Sequence, residues 1–205
     1  MSVRTFSAAE VAERLDYPSL IDVLEDGFRA DITIPPRHHH TIPVDSGRDA
    51  TLLLMPAWCP QFVGLKTVIV APENAGKALP AVQAGYQLMD RETGQLLALM
   101  DGPELTARRT AGASALASRY LSRPDCKRLT VVGTGVLAPH LIRAHAAERP
   151  ISEVVIWGRN PDKAEAVAIA FDEAGLSLRV EPDLQAAVAG ADIISCATLS
   201  SAPLI

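Results

Sequence analysis

The run Gly133-Thr134-Gly135-Val136-Leu137-Ala138 has the residue types and spacing of a loop that cradles a pyrophosphate. Gly133 permits a tight turn, Gly135 lets the backbone approach the phosphates, and Ala138 keeps the following helix close to its sheet. The first amides of that helix have no partner within it and sit at the positive end of its dipole, so they complete an anion site. Trp157-Gly158-Arg159-Asn160 ends the next strand of the same pattern. An acid there accepts a hydrogen bond from a ribose 2′-hydroxyl, whereas an arginine accommodates a 2′-phosphate. Arg159 with no neighbouring carboxylate favours NADP(H) over NAD(H); an ordinary surface arginine is the alternative.

Three cations stand out earlier in the chain. Arg37 follows Pro35-Pro36, Lys66 interrupts the apolar run Gly64-Leu65-Lys66-Thr67-Val68, and Arg109 lies in Leu105-Thr106-Ala107-Arg108-Arg109-Thr110-Ala111. A lysine buried in a strand needs a partner, such as a ligand carboxylate; strand alternation equally allows it to face water. The triplet His38-His39-His40 follows Arg37, but successive strand residues point to opposite faces and no second ligand cluster follows, so no metal is predicted. Cys59, Cys126 and Cys196 are odd in number, far apart and set in apolar sequence, which predicts buried free thiols.

The elements that must position these residues read as two blocks. Ser7 before AAEVAERL, then Asp16 before a segment with Pro18 in its first turn, predict two opening helices. From Pro35 to Met100, β-branched and apolar runs alternate with turn residues and predict consecutive antiparallel strands. Asp90-Arg91-Glu92-Thr93-Gly94 fits a hairpin turn with positive φ at Gly94. Leu105 to Leu121 reads as a long helix ending before Arg123-Pro124. After it come RLTVVG, TGVLAPHLIRAHAAERP, SEVVIWG, NPDKAEAVAIAFDEAG, LSLRVEP, DLQAAVAG and ADIISCAT, an alternation of strand and helix that implies a parallel sheet. The expected fold is α/β: residues 1–124 an α+β domain, residues 125–205 a Rossmann-type dinucleotide domain. Ligands of such sheets bind beyond the carboxyl ends of the strands, which places the site near Gly133, Gly158 and Cys196.

Bulk properties narrow the function classes. The 205 residues are 48% hydrophobic, enough to bury a real core, and carry a formal charge of -5. Lysines and arginines are scattered, without the footprint of a nucleic-acid binder. The N-terminus lacks the apolar run of a signal peptide and no stretch reaches bilayer-spanning length, so no membrane partner and a cytoplasmic location are expected.

LLLMPAW, GLKTV, Pro72-Glu73-Asn74, LMDRETGQLLALMDG, LTARRTAGASALASRYL and VVGTGVLAPHLIRAHA, in this order, resemble the ornithine cyclodeaminase/μ-crystallin family over almost the whole chain. The resemblance implies a first domain for dimerisation and substrate binding, hence a homodimer, beside a Rossmann domain, with the active site in the cleft between them. It implies that Arg37, Lys66 and Arg109 bind the carboxylate of a small amino or imino acid, with Lys66 a proton-transfer group. Thr110 and the loop Gly133, Thr134, Gly135, Val136 and Leu137 would contact the cofactor, with Arg159 and Asn160 at its ribose. Family members continue past Ile205 with further Rossmann strands, an acidic catalytic residue and a C-terminal helix. Relative to them this chain reads as C-terminally truncated, with an unpaired sheet edge expected. Many relatives carry glutamine at the position of Leu137, and the leucine here resembles a branch of the family associated with reduction of cyclic imines. The leading expectation is an NAD(P)H-dependent reductase of a cyclic imino acid such as Δ1-pyrroline-2-carboxylate. Ornithine cyclodeamination, alanine-type amino-acid dehydrogenation and non-catalytic binding of NADPH or a small ligand are the alternatives.

Overall fold

The computed structural model describes residues 3–45, 47–77, 79–171, 175–198, 200 and 202–205. Packing divides the chain within its longest helix, not after Pro124: the residues up to Asp16 with Asp26–Thr106 form a first unit, and Tyr17–Glu25 with the residues from Ala107 onward a second. The reason is apolar burial. Tyr17, Ile21, Ala111, Ala115 and Leu116 join one core cluster with Leu129, Val131, Ile142 and Val154.

The chain opens with strand β1 (Arg4–Phe6) and helices α1 (Ala8–Arg14) and α2 (Tyr17–Arg29). Ser7 caps α1 reciprocally: its Oγ accepts from the Glu10 amide at 3.4 Å, and the Glu10 carboxylate accepts from the Ser7 amide at 2.8 Å. Strands β2 (His38–Ile42), β3 (Ala50–Trp58), β4 (Phe62–Val70), β5 (Val82–Asp90) and β6 (Leu96–Asp101) complete a sheet in the order β1-β6-β5-β4-β3-β2. All its pairings are antiparallel except β1 with β6. The predicted hairpin turn joins β5 to β6. Asp90 Oδ1 accepts from the Thr93 amide at 2.8 Å, and Gly94 has φ +70°. The three-residue β1 escaped the sequence reading because it is too short to display a period.

Helix α3 (Gly102–Leu121) starts three residues before the predicted Leu105, where Asp101 Oδ1 accepts from the Glu104 amide at 2.8 Å. The second unit then alternates as predicted: β7 (Arg128–Val132), α4 (Leu137–Glu148), β8 (Glu153–Trp157), α5 (Pro161–Ala170), β9 (Ser177–Val180), α6 (Leu184–Val188) and β10 (Ile193–Cys196). Asp172, Glu173 and Ala174, read as the tail of α5, lie outside the described residues. The four strands are parallel in the order β10-β7-β8-β9. Leu129, Val131, Val132, Val154, Val155 and Ile156 are fully buried, each stabilising by about 1.5–3 kcal/mol. No helix among the described residues is long and apolar enough to cross a membrane.

β10 lies at one edge of this sheet and alternates buried Ile193 and Ser195 with exposed Ile194 and Cys196. The cysteines therefore differ from expectation: Cys126 is buried, Cys59 half-buried and Cys196 exposed. Cys196 falls on the outward side of an edge strand, a placement its apolar neighbours do not reveal.

A buried polar chain crosses the second unit. His145 of α4 meets Ser118 Oγ at Nδ1 (3.0 Å) and Ser114 Oγ at Nε2 (3.1 Å), and Ser114 Oγ lies 3.2 Å from Ser195 Oγ of β10. Arg149, beyond the end of α4, donates to the carbonyls of Ser118, Arg119 and Ser122, satisfying the C-terminal end of α3. Burial lowers the His145 pKa to about 4, so the ring stays neutral where an unfolded histidine takes up a proton. The unfolded state then binds more protons between pH 6.5 and 4, and stability falls as pH falls through that window. His145 should contribute a loss on the order of 3 kcal/mol to the stability measured by urea unfolding between pH 7 and pH 4. The part owed to His145 is what disappears from that slope in His145→Gln; an unchanged slope in the variant would refute the assignment.

Candidate functional site

The glycine loop follows β7 and is gripped on both sides. The Gly133 amide donates to the Trp157 carbonyl at the end of β8 (2.8 Å), and the Ala197 amide just beyond β10 donates to the Val132 carbonyl (2.8 Å). Gly133 has φ +131°, and a Cβ there would lie 2.2 Å from the Ala197 carbonyl oxygen. Both the backbone angle and the space demand glycine. Around Gly135, by contrast, a Cβ would meet nothing within 4 Å, so its backbone is open to a ligand. Val136, the residue before α4, makes no side-chain cap; of the first amides, that of Ala138 donates to the Gly135 carbonyl at 3.0 Å.

A cavity of about 280 Å³ lies at these strand ends, lined by Gly133, Thr134 and Gly135, by Trp157 to Asn160 and Lys163, and by Ala197, Thr198, Ser200 and Leu204. Of the residues singled out in the sequence, the structure brings Gly133, Thr134, Gly135, Arg159 and Asn160 to this one cavity. Val136 lines an adjoining cavity of about 520 Å³ between α4 and α5, together with Thr134, Gly135 and Lys163. Leu137 lines neither and packs against the core. Asn160 lines the first cavity while its Oδ1 accepts from the Lys163 amide at 3.2 Å, capping α5. Trp157 is fixed by its indole N–H, which donates to the Pro182 carbonyl at 3.0 Å. Lys163 and the Ala197–Thr198 wall were not anticipated. The capping run Asn160-Pro161-Asp162 could have found Lys163, since it fixes the start of α5.

Thr110 and Arg109 sit on α3 in the second unit, Thr110 half-buried and Arg109 exposed. Their neighbour Arg108 stacks on Tyr17, whose hydroxyl lies 2.8 Å from His140 Nδ1. Neither Thr110 nor Arg109 lines the two cavities.

In the first unit, Lys66 pairs across the sheet with Met55 on β3 and Tyr86 on β5. It is half-buried and shares a face with buried Gly64 and Val68 and with exposed Phe62, while Ile69 lies on the opposite face. Tyr86 leans along that face until its hydroxyl occupies the space of a Gly64 side chain: a Cβ at Gly64 would lie 2.0 Å from Oη. Arg37 is exposed and immediately precedes His38, the partner of Leu54. That puts Arg37 level with Met55 and two strand spacings from Lys66, about 10 Å of backbone. His38, His39 and His40 are all exposed on β2, and no group of three metal-ligating side chains forms among the described residues.

The family model for ornithine cyclodeaminase/mu-crystallin proteins matches residues 2–205. The chain belongs to this family. Among its relatives is a Delta(1)-pyrroline-2-carboxylate reductase of Colwellia psychrerythraea, 36% identical, the match covering 98% of this chain and 65% of that protein. The Thermococcus litoralis Delta(1)-pyrroline-2-carboxylate reductase, solved with NADH and L-proline, superposes with a TM-score of 0.84 at 28% identity, over 96% of this chain and 62% of the other. A lysine cyclodeaminase, whose structure concerns recognition of L-lysine, L-ornithine and L-2,4-diaminobutyric acid, superposes at 0.82 with 30% identity, over 98% and 62%. This member of the ornithine cyclodeaminase/mu-crystallin family therefore spans a little under two-thirds of the length of these relatives.

The grip on the glycine loop yields a direct test. Gly133→Ala places a methyl against the Ala197 carbonyl and strains the backbone angle, and should cost about 2 kcal/mol or more of stability. Dinucleotide affinity should fall roughly tenfold or more, read by quenching of tryptophan fluorescence. A variant with wild-type melting temperature and affinity would show that the loop tolerates what the geometry forbids.

Proposed function

We propose that this chain provides the cofactor site and substrate-binding residues of an NADPH-dependent reductase acting on a small cyclic α-imino acid of the Δ1-pyrroline-2-carboxylate type. The observation that carries the reading is the cavity at the strand ends, where the Gly133 cradle and Arg159 line one space with no carboxylate side chain among the described lining residues. The likeness to pyrroline-2-carboxylate reductases supports the substrate class. The residues fit a nicotinamide dinucleotide: the open backbone at Gly135 and the uncapped first turn of α4 suit its pyrophosphate, and Arg159 suits a 2′-phosphate.

When bound, the nicotinamide supplies the hydride that adds to the imine carbon. Lys66 donates a proton to the imine nitrogen, so that proton and hydride together convert C=N to the amine. Arg37 and Arg109 provide the guanidinium charge that complements the substrate carboxylate. For Lys66, the half-buried position on the face it shares with buried Gly64 and Val68 supports the assignment. The first unit is also our candidate for self-association into a homodimer, because Ile69 and Leu99 are partly exposed on the sheet face opposite Lys66. A second reading, cyclodeamination of ornithine, draws on the likeness to lysine cyclodeaminase.

Stopped-flow or absorbance assays with NADPH and Δ1-pyrroline-2-carboxylate should show substrate-dependent oxidation of the cofactor. Lys66→Met should lower kcat about 100-fold or more while leaving the affinity for NADPH unchanged. Ammonia release from ornithine with NAD+ and no oxidation of NADPH by the imine would transfer the assignment to cyclodeamination. NADPH binding without turnover of either substrate would leave this polypeptide a binding protein.

A further inference from the structure

The cavity at the strand ends has two charged residues in its described lining, Arg159 and Lys163, and both are cations. Lys163 comes four residues after Arg159 and on the helix that follows. It reaches the same space because Asn160 caps α5 and Pro161 opens it, which makes Lys163 the third helical residue. Side chains on a helix lean toward its N-terminus, so a long side chain at this position runs back over the turn that carries Arg159. Asp162, the acid of that first turn, is absent from the lining.

Two further features single out Lys163. It also lines the adjoining cavity between α4 and α5, and the residues common to both cavities are Thr134, Gly135 and Lys163. Its side chain therefore borders the point where the glycine loop faces the end of β8. A cation in the first turn of a helix also opposes the helix dipole, a placement that costs stability unless an anion is held there. Among the described residues, neither Arg159 nor Lys163 takes part in an ion pair.

We infer that Lys163 is a second specificity-determining residue of the cofactor site: with Arg159 it holds the 2′-phosphate of an adenosine-2′-phosphate dinucleotide. This rests on the NADPH reading above. Arg159 offers a planar fork for two parallel hydrogen bonds, and Lys163 a compact charge from the helix side, so the two grip different faces of one phosphate.

The test uses the full chain and two mononucleotide probes that differ by that phosphate, 2′,5′-ADP and 5′-AMP, titrated by calorimetry. Wild type should bind 2′,5′-ADP the more tightly. Lys163→Gln should weaken 2′,5′-ADP about tenfold and leave 5′-AMP within about twofold, with Lys163→Arg restoring most of the loss. Arg159→Gln should act in the same direction. If wild type prefers 2′,5′-ADP and Lys163→Gln leaves that preference intact, the role of Lys163 is wrong and the NADPH reading stands. If wild type binds the two probes alike, the NADPH reading itself fails. Equal loss of both probes in a Lys163→Gln variant with an unchanged melting temperature would assign Lys163 to the shared 5′-phosphate and overturn the specificity role.

Discussion

The fit of Gly133 against the Ala197 carbonyl is the constraint on which the second unit's chemistry depends. It joins three parallel strands at one point: β7 delivers the loop, β8 receives its amide, and the residue after β10 forms the wall that leaves no room for a side chain. Because those three strand ends converge there, the loop's amides and the start of α4 are held in place before any ligand arrives. Preorganised donors cost a binding site less than donors that must be ordered at the moment of binding. The apolar interior of the sheet is thus tied directly to the placement of a polar cradle.

The same sheet sets the division of labour around the cradle. β8 ends in Trp157, anchored by Pro182, so the turn through Gly158 to Asn160 leaves from a fixed post. Asn160 then commits its side-chain oxygen to α5, which turns a loop residue into the start of a rigid element. In the first unit the organising device differs: a six-stranded sheet whose cross-strand register places Met55, Lys66 and Tyr86 in one row. The hydroxyl of Tyr86 lying over Gly64 shows that this face is closely packed beside the lysine.

Much of this was legible in the sequence because local chemistry and global fold agree. The alternation after Asp125, the GxGxxA run and the Asp90 to Gly94 turn each have one physical solution, and each is found. What escaped depends on neighbours distant in the chain. The three residues of β1 acquire strand geometry from β6. The unit boundary falls inside α3 because Ala111, Ala115 and Leu116 find their apolar partners on β7, β8 and α4, and no change of composition marks that point. Cys196 is exposed because strand alternation turns it, with Ile194, to the face opposite buried Ile193 and Ser195, which its apolar surroundings do not reveal. Lys163 was overlooked because motif reading stops at the strand end, while helix geometry carries a later side chain back to it.

The serine–histidine chain between α3, α4 and β10 has a directional property. A neutral imidazole donates from one nitrogen and accepts at the other, so the hydroxyls of Ser118, Ser114 and Ser195 cannot orient independently. If the ring proton points to Ser118, Ser114 must donate to the ring and receive from Ser195; if it points to Ser114, Ser118 must donate to the ring and the Ser114 proton is released to turn toward Ser195. The core of the second unit therefore contains a row of hydroxyls whose order follows one imidazole tautomer, and a tautomer change at His145 frees the Ser114 proton to point at the edge strand.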